Sequence, residues 1–400
     1  MFTRITLPRL LLAVVFAASC SDDSDRGGAL PEPTRGDLLS LTPLTSLRAS
    51  EVANYLAEFD IEGDDVRFGV EAYRVEYRTI DPNGQMVRAS GLLALPSNAE
   101  PVLEQAVWMH GTTVYRGEAA SVNEGSDGRA AAFYFAAAGY ATTAPDYLGL
   151  GLGEGPHPYD HIPSEVSAGV DALRATQRAA SQLGRGLGTR LSISGHSQGG
   201  PATVALAHEV QSGGAQGLVL GSVAPISGPY DMSGSLATAA QGGIDFATPY
   251  LGYLTVAWNR WLGLYDMPSE AFLPPYDVSI ESLFDNDHTT DEIAVALPQT
   301  LEELFTPAFL ERLRQPSGAL REALDEASRV CAWRPSVTMI VYASSADAEV
   351  PIENAHYCVE SFAESGADVT LIDLGDAEHS ESMTRSLPMV LAQFAGASPL

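Results

Sequence analysis

Strand patterns alternate with helical patterns along most of this chain, and this alternation is the feature that most constrains its fold. The strands are predicted at 105–111, 141–147, 189–195 and 217–227, and the helices at 130–140, at 164–184 with Ser164 as the capping residue, and directly after the third strand. Parallel neighbours in a sheet need a crossover between them, usually a helix. The alternation therefore predicts an α/β fold, a mostly parallel sheet with helices on both faces.

An antiparallel hairpin precedes the parallel part of the predicted sheet. Residues 67–80 alternate between apolar and polar side chains, the turn sequence DPNG follows at 81–84, and residues 85–96 return the chain. Such alternation on both sides of a turn sequence is typical of a β-hairpin. We therefore expect the core to begin with this hairpin.

The alternation stops between residues 231 and 334 and then resumes. The interrupting segment has mainly helical patterns, and we predict that it forms a helical cap, or lid, over the carboxyl edge of the sheet. Strand 336–344, a helix, strand 367–375 and a last helix complete the sheet. The predicted organisation is a core formed by 51–230 and 335–400, with the cap at 231–334.

Aromatic side chains are concentrated in one part of the predicted cap. Trp258, Trp261 and Tyr265 recur there at the spacing of one helix face. This spacing is typical of packing between helices, but the same side chains could contact a substrate. Trp258 and Trp261 are therefore candidates for a substrate pocket, with helix packing as the alternative.

The first twenty residues have the pattern of an export signal. Arg4 and Arg9 precede an apolar run at 10–18, which is too short to span a bilayer as a stable anchor. Cys20 ends an Ala-Ala-Ser-Cys sequence that fits a bacterial lipobox, in which the cysteine is lipidated, and ordinary cleavage nearby is the alternative. Residues 21–50 begin with many Asp, Gly and Pro residues and are predicted to be a flexible tether. We expect a periplasmic or outer-membrane lipoprotein tethered through Cys20, or otherwise a secreted protein.

Cys331 and Cys358 remain when Cys20 is assigned to lipid attachment. An even pair of cysteines in an exported protein favours a disulfide, and two buried free thiols are the alternative. Neither cysteine has the neighbouring ligands of a metal site, so no metal is expected. The sequence also indicates no cofactor and no protein partner.

The formal net charge of −29 restricts the partners further. Phosphate contacts need clusters of Arg or Lys, and such clusters are absent from this sequence. Nucleic acid and anionic membrane surfaces are therefore not expected as electrostatic partners.

Ser197 lies in the sequence GHSQGG, between strand 189–195 and the helix that follows it. A chain with 37 glycines in 400 residues can contain a G-x-S-x-G sequence by chance, so the motif alone decides little. A sharp turn between strand and helix leaves room only for small side chains, which accounts for Gly195 and Gly199. Ser197 is therefore a candidate nucleophile that requires a base and an acid nearby.

The two later strands supply these partners at the same edge of the sheet. Asp347 follows strand 336–344, and His379 follows strand 367–375, so the chain order is Ser, Asp, His. Glu349 and Asp376 are rival carboxylates, but Asp347 directly follows the strand, and we expect Asp376 to be solvated. His196 is expected to point away from the site.

The candidate oxyanion hole combines two backbone amides. The Gln198 amide follows the serine at a helix N-terminus, where negative charge is favoured. The loop after strand 105–111 offers the Thr112 amide. His110, Asp146 and Tyr147 follow strands on the same edge and are candidates for lining the pocket, although Asp146 could instead order its own loop.

Seven ordered motifs give the chain a family resemblance over roughly residues 67–395. They are WMHGT at 108–112, APDYLGLG at 144–151 with HPY at 157–159, DALRA at 171–175, GHSQGG at 195–200, AWRP at 332–335, DAEVP at 347–351 and EH at 378–379. With these residues the chain resembles the α/β-hydrolases, and more narrowly the secretory lipases and related bacterial esterases.

The resemblance implies a hydrolase of lipid or other carboxylic esters, with no metal cofactor. It implies a lid between the sixth and seventh strands, and Ser197, Asp347 and His379 as the catalytic triad. Ser344 and Ser345 stand where the acid turn often has a glycine, and the asparagine that usually precedes the W-x-P sequence is not evident.

The main hypothesis is an esterase or lipase that acts through an acyl-enzyme. A serine peptidase similar to prolyl peptidases is an alternative, although the chain lacks the repeats of an N-terminal propeller. A non-catalytic binding lipoprotein on the same fold is a third possibility. Measured ester and peptide turnover would distinguish the three.

Overall fold

The computed structural model describes residues 34–98 and 102–396. The predicted export signal at 1–20, with Cys20, and the first part of the tether lie outside the described residues. Within the described ranges, no helix combines the length and the apolar character that a bilayer span requires.

A nine-stranded sheet forms the centre of the described chain, in the order β1-β2-β3-β5-β4-β6-β7-β8-β9. The strands are β1 (Leu38–Leu47), β2 (Val70–Ile80), β3 (Met86–Pro96), β4 (Val102–Met109), β5 (Ala141–Pro145), β6 (Gly186–His196), β7 (Val219–Ile226), β8 (Ile340–Ala343) and β9 (Thr370–Asp373). β1, β2, β3 and β5 pair antiparallel in turn, and β5, β4, β6, β7, β8 and β9 pair in parallel. The predicted hairpin and mostly parallel sheet are therefore confirmed, although β8 and β9 are shorter than predicted.

Except for the first helix, which was not predicted, the helices of the core lie where the sequence pattern predicts them, and the insertion is helical as predicted. They are α1 (Ala49–Ala57), α2 (Asp127–Ala138), α3 (Ile162–Gln182), α4 (Gly199–Gln211), α5 (Met232–Ala239), α6 (Ala247–Leu262), α7 (Pro268–Ala271), α8 (Ile280–Leu283), α9 (Thr290–Ala296), α10 (Leu301–Leu304), α11 (Pro307–Arg314), α12 (Gly318–Ala327), α13 (Glu353–Glu364) and α14 (His379–Phe394). Helices α2 and α14 pack in one apolar cluster with the sheet, and α3, α4 and α13 pack in clusters with its other face.

The predicted tether at 21–50 is wrong for its last residues. Leu38–Leu47 forms β1, which pairs with β2 from Leu38 opposite Tyr77 to Leu47 opposite Val70. β1 is an edge strand with half-exposed side chains, so it has neither the alternating burial of β2 nor the continuous burial of the inner parallel strands. Pro43 is tolerated there because an edge strand pairs on one side only. With this extra strand, the helical insertion follows the seventh strand rather than the sixth.

The serine predicted to cap α3 is not its capping residue. The helix begins at Ile162 with His161 as the N-cap residue, and Pro163 lies in its first turn. The Ser164 hydroxyl donates to the His161 carbonyl at 2.9 Å. Proline in the first helical turn is well tolerated, so the start of this helix lies before the serine.

Helices α5–α12 lie between β7 and β8 and share an apolar cluster of their own. This cluster contains Trp258, Tyr253 and Phe284, and it also includes Tyr159 from the loop before α3. A disulfide joins Cys331, after α12, to Cys358 of α13, as predicted. This covalent bond joins the end of the helical insertion to the helix between β8 and β9, the two strands that precede Asp347 and His379.

Candidate active site

Ser197 lies in a sharp turn between β6 and α4. Its φ is +57°, a left-handed conformation that costs energy for a residue with a side chain. A Cβ atom at Gly195 or Gly199 would overlap the carbonyl oxygen of Met109 on β4. The close approach of β4 therefore requires glycine on both sides of the serine, as the sequence pattern indicates.

His379 and Asp347 lie next to Ser197, although both are far from it in sequence. The Ser197 hydroxyl lies 2.9 Å from His379 Nε2, and His379 Nδ1 lies 2.7 Å from Asp347 Oδ2. With its proton on Nδ1, the imidazole donates to the carboxylate and accepts from the serine. All three residues are buried. The structure thus brings together the three residues that were predicted as a triad.

The loops that carry the acid and the histidine are fastened to each other. Asp347 Oδ1 accepts hydrogen bonds from the amides of Glu349 and Val350, at 3.0 and 2.9 Å. The Ser344 hydroxyl lies 2.8 Å from the Gly375 carbonyl and 2.5 Å from the Ala377 carbonyl. Ser344, where related turns often have glycine, therefore connects the two loops.

The rival carboxylates are occupied elsewhere. Glu349 accepts a hydrogen bond from the Tyr250 hydroxyl at 2.5 Å. Asp376 is 93% exposed in its side chain and forms an ion pair with Arg385 at 2.6 Å. Asp376 is solvated, as the sequence interpretation expected.

His196 does not point away from the site, contrary to expectation. Its ring lies 4.6 Å from the His379 ring, centroid to centroid, and its Nε2 donates to the His379 carbonyl at 2.9 Å. Burial holds the pKa of His196 well below its ordinary value, and the neighbouring His379 lowers it further. His196 is therefore a neutral neighbour of His379, a contact that the position of His196 in the turn did not reveal.

The two predicted oxyanion donors lie beside the serine. Thr112 and Gln198 line the same cavity as Ser197. Neither of their backbone amides donates a hydrogen bond to another described residue. Two amides without partners beside a serine hydroxyl can donate to an anionic oxygen.

The Gln198 side chain is anchored below the turn by a buried polar cluster. Its Nε2 donates to Glu165 Oε1 at 2.7 Å and to His157 Nε2 at 3.1 Å. Burial lowers the pKa of His157 to about 3, so this imidazole is uncharged at neutral pH, and burial also raises the pKa of Glu165 well above its usual range. Sequence reasoning missed this function of His157 and Glu165, since only the fold brings them to Gln198.

Two openings meet at Ser197. One is a cavity of about 440 Å³ between the turn and the helices α5 and α6, with a mainly apolar wall that includes Leu236, Leu251 and Leu254. The other is a more polar cleft of about 460 Å³ that contains His379 and His110. We call these the apolar cavity and the polar cleft.

Most of the other predicted pocket residues lie outside both openings, and His110 is the exception. Asp146 is fully buried and accepts hydrogen bonds from Ser90 and Ser121, so it orders its loop. Tyr147 is buried beneath His110 and donates to its carbonyl at 3.3 Å.

The two tryptophans also lie outside both openings. Trp258 is buried and donates to the Tyr159 carbonyl at 3.0 Å, and Trp261 packs against His161. The helix-packing interpretation of the tryptophans therefore agrees with their positions. In the described part of the chain, no group of three or more His, Cys, Asp and Glu residues could hold a metal ion.

The whole arrangement can be compared with known proteins. The chain matches no protein-family model and no curated protein sequence. Its structure is similar to that of the rice cell wall degrading esterase LipA from Xanthomonas oryzae, with a TM-score of 0.78 and 27% identity over 91% of this chain and 97% of that one. This chain has the α/β-hydrolase fold.

Two further structures share this α/β-hydrolase architecture. A candidate hydrolase from Legionella pneumophila has a TM-score of 0.82 and 26% identity, over 90% of this chain and 97% of that one. Candida antarctica lipase A has a TM-score of 0.67 and 14% identity, over 92% and 84% of the two chains, a likeness that shows the fold alone. The resemblance to lipases and esterases is therefore confirmed, and the similarities support a hydrolase.

Proposed function

We propose that the protein is a serine hydrolase that cleaves carboxylic esters through an acyl-enzyme intermediate. The observation that carries this proposal is the continuous contact from Ser197 through His379 to Asp347, at 2.9 and 2.7 Å. A serine hydroxyl becomes nucleophilic when a positioned base can take its proton. The esterase among the similar structures supports the same chemistry.

The reaction follows from this geometry. Ser197 Oγ attacks the ester carbonyl carbon while His379 Nε2 takes the hydroxyl proton, and Asp347 stabilises the resulting imidazolium. The amides of Thr112 and Gln198 donate to the oxyanion of the tetrahedral intermediate. His379 then gives the proton to the leaving alcohol, and water hydrolyses the acyl-enzyme by the reverse sequence of proton transfers.

The lining of the two openings supports one orientation of the ester, with its alcohol part in the polar cleft and its acyl part in the apolar cavity. His379 protonates the leaving alcohol, and it lines the polar cleft but not the apolar cavity. The alcohol therefore leaves on the cleft side, and the acyl chain occupies the apolar cavity. Burial of each additional methylene there contributes about 0.8 kcal/mol to binding.

The test is hydrolysis of a series of p-nitrophenyl esters by the purified protein and by a Ser197→Ala variant. We expect turnover that the variant loses. Peptide substrates cleaved faster than any ester would favour a serine peptidase instead. A protein that hydrolyses nothing would be consistent with the non-catalytic alternative.

We also propose that the protein is exported and acts outside the cytoplasm. The disulfide between Cys331 and Cys358 supports this location, because such bonds persist in oxidising compartments. Lipid attachment at Cys20 stays a prediction, and the mass of the mature N-terminal peptide tests it.

A further inference from the structure

A buried carboxyl group with unused acceptor capacity lies in the wall of the apolar cavity. Asp160, in the loop before α3, lines this cavity together with Ser197 and is only 9% exposed. Among the described residues, the Tyr159 hydroxyl interacts with its carboxylate, and no backbone amide donates to it. Since a carboxylate can accept about four hydrogen bonds, most of the acceptor capacity of this buried group faces the cavity unused.

A structural role does not account for Asp160. The residue that caps α3 is His161, and no side-chain cap supports this helix. Among the ion pairs of the described chain, none includes Asp160. Its backbone is also in the left-handed region, with φ at +53°, which costs further energy. Neither helix capping nor an ion pair therefore accounts for a carboxyl at this position.

The other carboxylates of the cavity wall are more exposed than Asp160. Asp231 accepts the amide of Gly234 and caps α5. Glu349 accepts the Tyr250 hydroxyl, and Glu353 is exposed at the rim. No Arg or His lines this cavity among the described residues. An acyl group with its own negative charge would be repelled there, whereas a hydrogen-bond donor would be attracted.

We propose that Asp160 is a specificity-determining residue that selects esters whose acyl chain carries a hydrogen-bond donor, a hydroxyl or an ammonium group. The inference rests on the proposed function, since it assumes that the acyl chain occupies this cavity. A donor on the chain would pair with this carboxyl, which is the most buried one in a mainly apolar wall. An unsubstituted chain covers the carboxyl without supplying that hydrogen bond, which penalises its binding.

The selection depends on pH near neutrality. Burial raises the pKa of Asp160 to about 7, and the nearby Tyr159 hydroxyl lowers it by a smaller amount. The other titratable groups near it are Tyr147, Tyr159, His161, Glu165, Tyr250 and Tyr253. Burial raises the pKa of the tyrosines and of Glu165 and lowers the pKa of His161 to about 4. The tyrosines and His161 are therefore uncharged around pH 7, where the Asp160 carboxyl changes charge.

The experiment compares p-nitrophenyl octanoate with octanoates that carry one hydroxyl or one dimethylammonium group at successive carbons. The purified wild type is assayed beside Asp160→Ala and Asp160→Asn, and kcat/KM is measured for each ester on both sides of pH 7. Glu322→Gln is the matched control, because it removes an exposed carboxylate of α12 that lines neither opening. Thermal unfolding shows that each variant is folded.

We expect the wild type to prefer at least one substituted ester by about tenfold or more, with a preference that grows as pH rises through 7. Asp160→Ala should lose both preferences. Asp160→Asn should lose the preference for ammonium and its pH dependence, but keep part of the preference for hydroxyl through its amide oxygen. Glu322→Gln should behave as the wild type.

Equal rates on substituted and unsubstituted esters in the wild type would overturn the assignment of Asp160 while leaving ester hydrolysis intact. The same loss of preference in Glu322→Gln would overturn it too, because overall charge would then be the cause. Absence of turnover on every ester would contradict the proposed function and this inference together.

Discussion

The carboxylate of Asp347 is the last group in the series of contacts that begins at Ser197 and passes through His379. Its function depends on its hydrogen bond to His379 and not only on its negative charge, and substitutions can test this difference. We expect Asp347→Asn to lower kcat by about 10³- to 10⁴-fold, because an amide cannot stabilise the imidazolium and favours the wrong tautomer. Steady-state hydrolysis of a p-nitrophenyl ester measures this.

Asp376→Asn is the matched control for that change. Asp376 is a nearby carboxylate whose side chain is exposed, and its surface ion pair with Arg385 is of a kind that contributes little. The control should retain the wild-type rate. A loss of activity in Asp376→Asn as large as in Asp347→Asn would contradict the assignment of the acid.

Glu165 is expected to act through Gln198 rather than on the substrate. In Glu165→Leu, the Gln198 side chain loses its 2.7 Å hydrogen bond, and the amide that donates to the oxyanion is less well placed. We predict that kcat falls about tenfold with little change in KM. Glu165→Gln keeps an acceptor oxygen and should restore the rate, and if it is as slow as the leucine variant, Glu165 has another function.

The site residues that the sequence predicted lie after strand ends, whereas the residues it missed make contacts that depend on packing. Ser197, Asp347 and His379 follow strand ends, so the predicted order of the strands is enough to place them at one edge of the sheet. His157, Glu165 and the contact of His196 with His379 depend on how loops and helix faces pack. A pattern along the chain carries no signal for such contacts.

Among the elements, α6 forms one wall of the apolar cavity. In the wild type we expect kcat/KM to rise by about fourfold for each methylene of the acyl chain until the cavity is filled. Leu251→Trp should place an indole in that space, lower kcat/KM for p-nitrophenyl octanoate by tenfold or more, and leave the acetate ester nearly unchanged.

The control for that substitution lies on another helix of the insertion. Val295 of α9 is 88% exposed, so Val295→Trp adds the same side chain outside the cavity. It should leave the chain-length profile unchanged. A Leu251→Trp profile parallel to that of the wild type would show that the acyl chain does not occupy this cavity.

The elements were predictable to different degrees. Most inner strands are continuous buried segments, and their positions and those of the long helices follow from the sequence. β1 was missed because an edge strand with half-exposed side chains lacks that pattern. The two tryptophans were placed on the correct helix, but helical spacing alone could not say whether their side chains pack between elements or face a cavity.

At the scale of the whole molecule, the buried charge of Asp160 links stability to pH. Its pKa rises from 3.8 to about 7 on folding, so between these values the folded chain keeps a proton that the unfolded chain has lost. Its stabilising contribution is complete below pH 3.8 and is lost as pH rises through 7. The loss amounts to about 4 kcal/mol at most.

Asp160→Asn should therefore unfold at the same denaturant concentration as the wild type near pH 4 and be the more stable protein at pH 8. Comparing the two proteins at each pH cancels the titration of the buried histidines, which both share. Urea unfolding at the two pH values measures the difference. A constant difference across this range would mean that the carboxyl is not perturbed by burial.

The fold as a whole was the most predictable feature. Strand and helix alternation leaves few topologies for a sheet of this size, and right-handed crossovers then place the carboxyl ends of β6, β8 and β9 at one edge. The site at that edge follows from the topology, whereas the shape of the cavity beside it depends on an insertion whose packing the sequence does not specify.

The central claim is that Ser197 attacks an ester and carries the acyl group. The most direct measurement is to mix the protein with p-nitrophenyl octanoate, quench with acid within the first turnover and map the peptides by mass spectrometry. We predict an added octanoyl group on the peptide that contains Ser197, and none in Ser197→Ala. An octanoyl group on any other residue, or rapid hydrolysis with no acylated peptide and undiminished rate in Ser197→Ala, would contradict the account.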